Sequence, residues 1–221
     1  MQKIVEIGNG KLIHGDMLQH IKQIPDNTVD AIITDPPYTD EEAYTKFFKD
    51  TIPELYRILK KDAWLAFYWP TAKLNIPFEL GITKYFQYRD ALVILYKRTT
   101  STYSLVGRKQ TVLCLIFSKG RPKSYLKPGD FILGEEDPEI ISPQQYPKDW
   151  RPTFATKLIV TMLTKPGDLV LDPMCGYGTI PAVCEWLNRK WIGIERDRER
   201  FEYAVELVKS VVREKQEKNR S

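Results

Sequence analysis

A chain of 221 residues with 43% hydrophobic and 28% charged side chains can bury a core the size of one large α/β domain or two very small ones, which excludes disorder except at the ends. No apolar run approaches the roughly 20 residues that cross a bilayer, and the start, MQKIVEIGNGK, lacks the apolar stretch of a signal peptide, so a soluble, cytoplasmic protein is expected. The formal charge of +4 permits contact with a phosphate backbone without demanding it, and three unpaired-looking cysteines with two histidines suggest neither a disulfide framework nor a metal site.

Along the chain, strand-like runs alternate with amphipathic runs of helical length. KLIHGD (11–16), MLQHIKQIPDN (17–27), VDAIITD (29–35), YTKFFKDTIPELYRILKKD (44–62) and AWLAFYW (63–69) read as βαβαβ. Such a pattern predicts a parallel sheet covered on both faces. YRDALVILYKR (88–98) and KQTVLCLIFSKG (109–120) then read as two strands joined by the polar segment 99–108. Residues 121–150, rich in Pro, Gly, Gln and acids, read as a loop excursion, and loops of that length are usually functional. Next come an amphipathic helix ending at Pro166-Gly167, then strand, glycine turn, helix and strand over 169–197. A charged helix from about Arg198 to Lys215 and a frayed tail, REKQEKNRS, close the chain.

Two stretches carry chemistry. In VLDPMCGYGT, Asp172 ends an apolar strand, and Gly176 and Gly178 let the backbone turn tightly into a helix, with room for a ligand above the strand end. The following strand ends at Glu195, an acid placed to accept from both hydroxyls of a ribose. An adenosine-type cofactor is expected there. S-adenosylmethionine suits the turn better than NAD, because the third, phosphate-cradling glycine is absent.

The second stretch is Asp35-Pro36-Pro37-Tyr38. Prolines fix φ and lack N–H, so the tetrapeptide offers a carboxylate, outward carbonyls and an aromatic face with little freedom to relax. That set suits a planar ring bearing an NH₂: Asp35 and the Pro36 carbonyl each accept one N–H, and Tyr38 stacks on the ring.

DPPY together with LDPMCGYGT resembles the amino-methyltransferases of nucleic acids, and the order, with the catalytic tetrapeptide ahead of the glycine motif, resembles their β group. The resemblance runs over most of the chain, about 11–204. It implies a Rossmann-like S-adenosylmethionine-dependent methyltransferase fold with circularly permuted motif order. Its sheet would be mostly parallel and seven-stranded, with an antiparallel hairpin and helices on both faces. It also implies catalytic roles for Asp35, Pro36, Pro37 and Tyr38, and a cofactor site of Asp16, Asp172, Pro173, Met174, Cys175, Gly176, Gly178, Thr179 and Glu195. Asp16 would bond the adenine amino group, or alternatively cap the next helix.

Two departures from the family stand out. A Pro-Thr-x-Lys-Pro segment is replaced by YPKDWRPTFATK, which leaves Lys148, Trp150 and Thr153 without an assigned role, and the loop usually ending Ser-Gly-Thr has Tyr177 in the serine's place. The implied activity is methyl transfer to the exocyclic amine of a flipped base in DNA, with adenine N6 favoured over cytosine N4 because the acid is Asp. RNA as substrate, a non-catalytic scaffolding subunit and a nucleotide-dependent oxidoreductase are the alternatives. The expected organisation is one catalytic domain over 1–221, with 99–109 and 121–150 as target-recognition loops. Arg98, Tyr103, Arg108, Lys109, Arg121 and Lys123 would meet DNA, or else are ordinary surface charges. A homodimer or a specificity partner would supply what such short loops lack.

Overall fold

The protein is described from a computed structural model. It covers residues 3–38, 40–96, 103–104, 107–108, 111–127, 129, 131–134 and 152–218. In chain order the elements are β1 (Lys3–Ile7), β2 (Gly10–His14), α1 (Met17–Ile21), β3 (Val29–Thr34), α2 (Glu41–Lys46), a π-helical turn (Phe47–Thr51), α3 (Ile52–Ile58), β4 (Leu59–Trp69) and α4 (Ile76–Glu79). There follow β5 (Gln87–Tyr96), β6 (Tyr103–Ser104), β7 (Gly107–Arg108), β8 (Thr111–Lys119), β9 (Phe131–Gly134), α5 (Thr153–Leu163), β10 (Leu169–Asp172), α6 (Thr179–Trp186), β11 (Lys190–Glu195) and α7 (Arg198–Lys218).

One sheet runs in the order β1-β2-β11-β10-β3-β4-β8-β5-β9. Strands β2, β11, β10, β3 and β4 are parallel, while β8 lies antiparallel to both β4 and β5. These are the seven strands implied by the family resemblance, and two more extend the sheet. At one edge β1 pairs antiparallel with β2, and at the other β9 runs parallel to β5 inside the expected loop 121–150. The signal for β1 is the Gly8-Asn9 pair between two alternating runs, a hairpin turn in which Gly8 adopts φ 55°. Buried Glu185 secures it, accepting from the Asn9 backbone N–H at 2.7 Å and from Trp191 Nε1 at 2.9 Å.

Alternation along β4 divides the core into two layers. Ala66 and Tyr68 face α5, α6 and α7, whereas Leu65, Phe67 and Trp69 face α1, the π-helical turn and α3. The AWLAFYW stretch is therefore sheet core rather than a base pocket, and Tyr68 ties β4 to α5 through a 2.8 Å bond between its hydroxyl and Thr156 Oγ1.

Several boundaries differ from expectation: α1 ends at Ile21, and α3 ends at Ile58 so that β4 begins at Leu59 rather than Ala63. The helix expected over 44–62 begins at Glu41 and is interrupted by the π turn. Pro53 has no N–H to give the Lys49 carbonyl, and just before it the ladder shifts so that Ile52 N–H bonds Phe47 O. Helix α5 stops at Leu163, ahead of Pro166-Gly167. Helix α7 continues through the expected tail to Lys218, held to α6 by Lys215 Nζ on the Glu185 carbonyl at 2.5 Å and by Lys218 over the Trp186 ring. No helix of the described residues is long and apolar enough to cross a membrane.

Candidate active site

Strands β2, β11, β10, β3 and β4 end at the same edge of the sheet, and the chain reverses its direction of travel between β10 and β3. Ligands of open α/β sheets bind at such a switch point, beyond the carboxyl ends of the strands. Asp172 is the last residue of β10 and Asp35 follows the last residue of β3. A cavity of about 380 Å³ opens there. Asp35 and Pro37 form part of its wall, together with Asp16, Asp172, Pro173, Met174, Cys175, Gly176, Thr179 and Glu195. The two sequence motifs, far apart in the chain, thus meet in one space. Pro36 is buried behind the wall, Tyr38 is half-buried beside it, and Gly178 starts α6.

The glycine turn is built by close contacts. Gly178 has φ 88°, and a Cβ on it would lie 2.8 Å from Ala204 Cβ of α7, so only glycine lets α6 start so near α7. Gly176 has φ 52°, but a Cβ there meets nothing within 4 Å: the space above it is open, as a cradle for a ligand requires. Glu195 fastens the turn. Its Oε2 accepts Gly176 N–H at 2.8 Å, its Oε1 accepts Asp197 N–H at 2.7 Å, and its carbonyl accepts Gly15 N–H at 2.9 Å. Each carboxylate oxygen keeps a lone pair for a hydroxyl donor such as a ribose OH.

Asp16 caps α1, its Oδ1 accepting from Leu18 and Gln19 N–H at 3.1 and 3.2 Å. The same carboxylate lines the cavity. The capping reading is therefore realised by one oxygen, and the other remains for a ligand amine.

Asp172, 2% exposed, accepts from Thr34 Oγ1 at 2.8 Å and from Met174 N–H at 3.2 Å. Burial pushes its carboxyl up to about 8. The two hydrogen bonds pull the other way, and the nearby Asp35 and Glu195 charges add to the rise. The cysteines are buried and reduced, and burial raises all three thiols: Cys114 to about 12, with Cys175 and Cys184 also well above the ordinary thiol range. Thiolate chemistry at the Cys175 wall is thus disfavoured. Among the described residues no cluster of His, Cys, Asp and Glu could hold a metal ion.

Sequence reasoning missed three residues of the site. Lys73 donates from Nζ to the Tyr38 carbonyl at 2.6 Å, lies 4.6 Å from the Tyr44 ring centroid, and is itself held by Trp69 Nε1 on its carbonyl. Nothing in the spacing of residues 38 and 73 announces that clamp. Thr34 carries a weak signal, a polar residue closing an apolar strand beside a catalytic acid. Thr51 lines the cavity from the π turn, which periodicity does not reveal. Tyr177, the departure from the family loop, also lines it, packed edge-on against Tyr203 with Arg200 over its ring.

The proposed nucleic-acid residues are dispersed. Arg98 and Lys109 lie outside the described residues, as do Lys148, Trp150 and most of 99–109 and 121–150. Tyr103 and Arg108 are paired across the β6–β7 ribbon, inserted between β5 and β8. Arg121 and Lys123 lie elsewhere. Arg121 N–H bonds Asp62 and the Lys123 carbonyl accepts from Trp64 Nε1, which puts both near the start of β4, some seven residues or roughly 23 Å from its catalytic end.

Comparison with known proteins agrees with this geometry. The family model described as DNA methylase, of the N6/N4 methyltransferase group, matches residues 143–206. Type II methyltransferase M.BglII of Bacillus subtilis is 26% identical over 90% of this chain and 68% of its own length. Type II methyltransferase M.BamHI of Bacillus amyloliquefaciens is 32% identical over 84% of this chain, which spans 54% of that relative. Among solved structures, the cytosine-N4-specific PvuII DNA methyltransferase superposes with a TM-score of 0.78 at 16% identity, covering 97% of this chain and 95% of that one. The M1.HpyAVI–SAM complex gives 0.68 at 22% identity, covering 89% and 97%. With the DPPY tetrapeptide and the glycine turn meeting in one cavity, the chain is similar in sequence and fold to the DNA methylases of the N6/N4 group.

Proposed function

We propose that the protein transfers a methyl group from S-adenosylmethionine to the exocyclic amine of a DNA base swung out of its helix, adenine N6 in preference to cytosine N4. The observation that carries this reading is the single cavity that has Asp35 and Pro37 on its wall together with Asp16, Gly176 and Glu195.

The residues present fit the cofactor. The space is of the size that small-molecule sites occupy, the area above Gly176 is open, and the wall offers acids suited to ribose hydroxyls and an adenine amine. When bound, S-adenosylmethionine supplies a methyl group activated by a sulfonium centre. The chain's own task is to hold the amine. An exocyclic nitrogen conjugated with its ring is a poor nucleophile. By accepting its two N–H groups, Asp35 and the Pro36 carbonyl draw it toward sp³ and aim its lone pair. Tyr38 offers the stacking face, and the two prolines with Lys73 keep the loop from relaxing. Positioning and electrostatics carry the rate, and no nucleophilic triad is required.

The reading extends to one catalytic domain over 1–221, acting in the cytoplasm, with 99–109 and 121–150 as target-recognition segments. A second copy or a specificity subunit supplies the remaining DNA contacts. The decisive experiment incubates the protein with isotopically labelled S-adenosylmethionine and duplex DNA, single-stranded DNA or RNA, followed by nucleoside digestion and mass spectrometry. N6-methyladenine from DNA is expected. N4-methylcytosine would reverse the base preference, label in RNA alone would change the polymer, and no label with cofactor bound would move the protein to a non-catalytic role.

A further inference from the structure

Thr51 is 0% exposed and lines the cavity, and its hydroxyl is the one buried side-chain polar atom of the described residues without a hydrogen-bond partner. Leaving a hydroxyl so placed is costly, and a native protein that does so generally has a use for it. Inside an α-helix a threonine hydroxyl ordinarily bonds the carbonyl four residues earlier. Here that bond is not made: in the π turn Phe47 O takes Ile52 N–H, and the Thr51 hydroxyl has no partner.

The same turn aims the side chain. In a regular α-helix residues 46 and 51 would sit about 140° apart around the axis. The wider i→i+5 turn brings them to the same side, and both Lys46 and Thr51 do line the cavity. Single π turns recur at functional sites.

What the hydroxyl faces follows from its neighbours. Thr51 directly precedes α3, which packs against α1, and Ile21 of α1 shares a core layer with Ile52. The α1 residues Met17 and Leu18, next to Asp16, line the same cavity. Thr51 and the Asp16 turn therefore face one cavity from elements that pack together. Asp16 keeps one oxygen not used in capping, an acceptor, and the threonine can donate. An acceptor beside a donor matches the amino group and adjacent ring nitrogen of a 6-aminopurine.

We infer that Thr51, presented by the π turn, hydrogen-bonds the adenine edge of the cofactor and with Asp16 sets its preference for adenine. This rests on the S-adenosylmethionine reading above. The test is calorimetric titration of S-adenosylhomocysteine and its inosine counterpart into wild type, Thr51→Val and Thr51→Ser, with thermal melts of the free proteins. Thr51→Val, nearly isosteric, should bind S-adenosylhomocysteine roughly tenfold more weakly and discriminate less against the inosine form, while Thr51→Ser stays near wild type. Melting of free Thr51→Val should be unchanged or higher, because it removes an unsatisfied buried group. Wild-type affinity in Thr51→Val, or a marked drop in its melting temperature, would overturn the assignment. Failure of the wild type to bind either ligand would instead remove the cofactor reading on which it stands.

Discussion

Thr34 Oγ1 donates a 2.8 Å hydrogen bond to Asp172 Oδ1, joining the residue before Asp35 to the residue that opens the glycine turn. Strands β3 and β10 are thereby locked across the switch point by a buried pair. Asp172 gives the first prediction. Its carboxyl is raised to about 8 in the folded chain against 3.8 when free, so between those values the unfolded state loses a proton that the folded state keeps. Stability falls as pH rises from about 4 to about 8, on the order of 1.4 kcal/mol per unit at most from this group. Asp172→Asn removes the titration. Denaturant midpoints for wild type and Asp172→Asn should converge or cross in favour of the variant toward pH 8, and parallel pH profiles would refute the assignment.

In the proposed reaction Asp35→Ala removes an acceptor of the reacting amine and leaves in place the Glu195 bonds that fasten the glycine turn. Turnover should fall at least a thousandfold, on the order of 4 kcal/mol in the barrier, with S-adenosylhomocysteine affinity within about twofold of wild type. Methyl transfer and calorimetry on the same preparation separate the two.

Lys73→Met keeps the aliphatic stem over Tyr44 but deletes the bond to the Tyr38 carbonyl. Loosening the catalytic loop should lower kcat roughly ten- to hundred-fold while cofactor affinity holds, because the loss is one of orientation. A fall in cofactor affinity with kcat preserved would contradict a clamp on Tyr38.

The two glycines of the turn should respond differently. Gly178→Ala meets both a left-handed φ and the Ala204 Cβ at 2.8 Å, whereas Gly176→Ala meets only the φ penalty. Melts should show Gly178→Ala the more destabilised, by roughly 1–3 kcal/mol against about 1 for Gly176→Ala. Gly176→Ala should instead show its larger effect in cofactor affinity, since its methyl group enters the ligand's space.

Much of this site was legible because it is written in short, stiff elements. DPPY and the glycine turn owe their geometry to residues adjacent in sequence, and parallel pairing brings strand ends together wherever the intervening chain goes. Thr51 and Lys73 were illegible for the opposite reason. One depends on a shift of helix register beside Pro53, the other on a contact across 35 residues that the fold alone creates. Arg121 and Lys123 illustrate a third limit: composition does not say which end of a strand a residue flanks, and because β8 runs antiparallel to β4 they lie by the start of β4 rather than beside Asp35.

The strand order also governs how the protein comes to life on the ribosome. Strands β10 and β11 are the last of the sheet to be made, yet they occupy its centre, between β2 and β3. Until they emerge, β2 and β3 have nothing to pair with on their facing edges, and the catalytic tetrapeptide, synthesised about 140 residues earlier, has no cofactor wall opposite it. The nascent chain therefore passes through a stage with exposed strand edges that invite chaperone capture or aggregation. The cavity that unites Asp35 with Gly176 and Glu195 exists only once the central strands have slotted in.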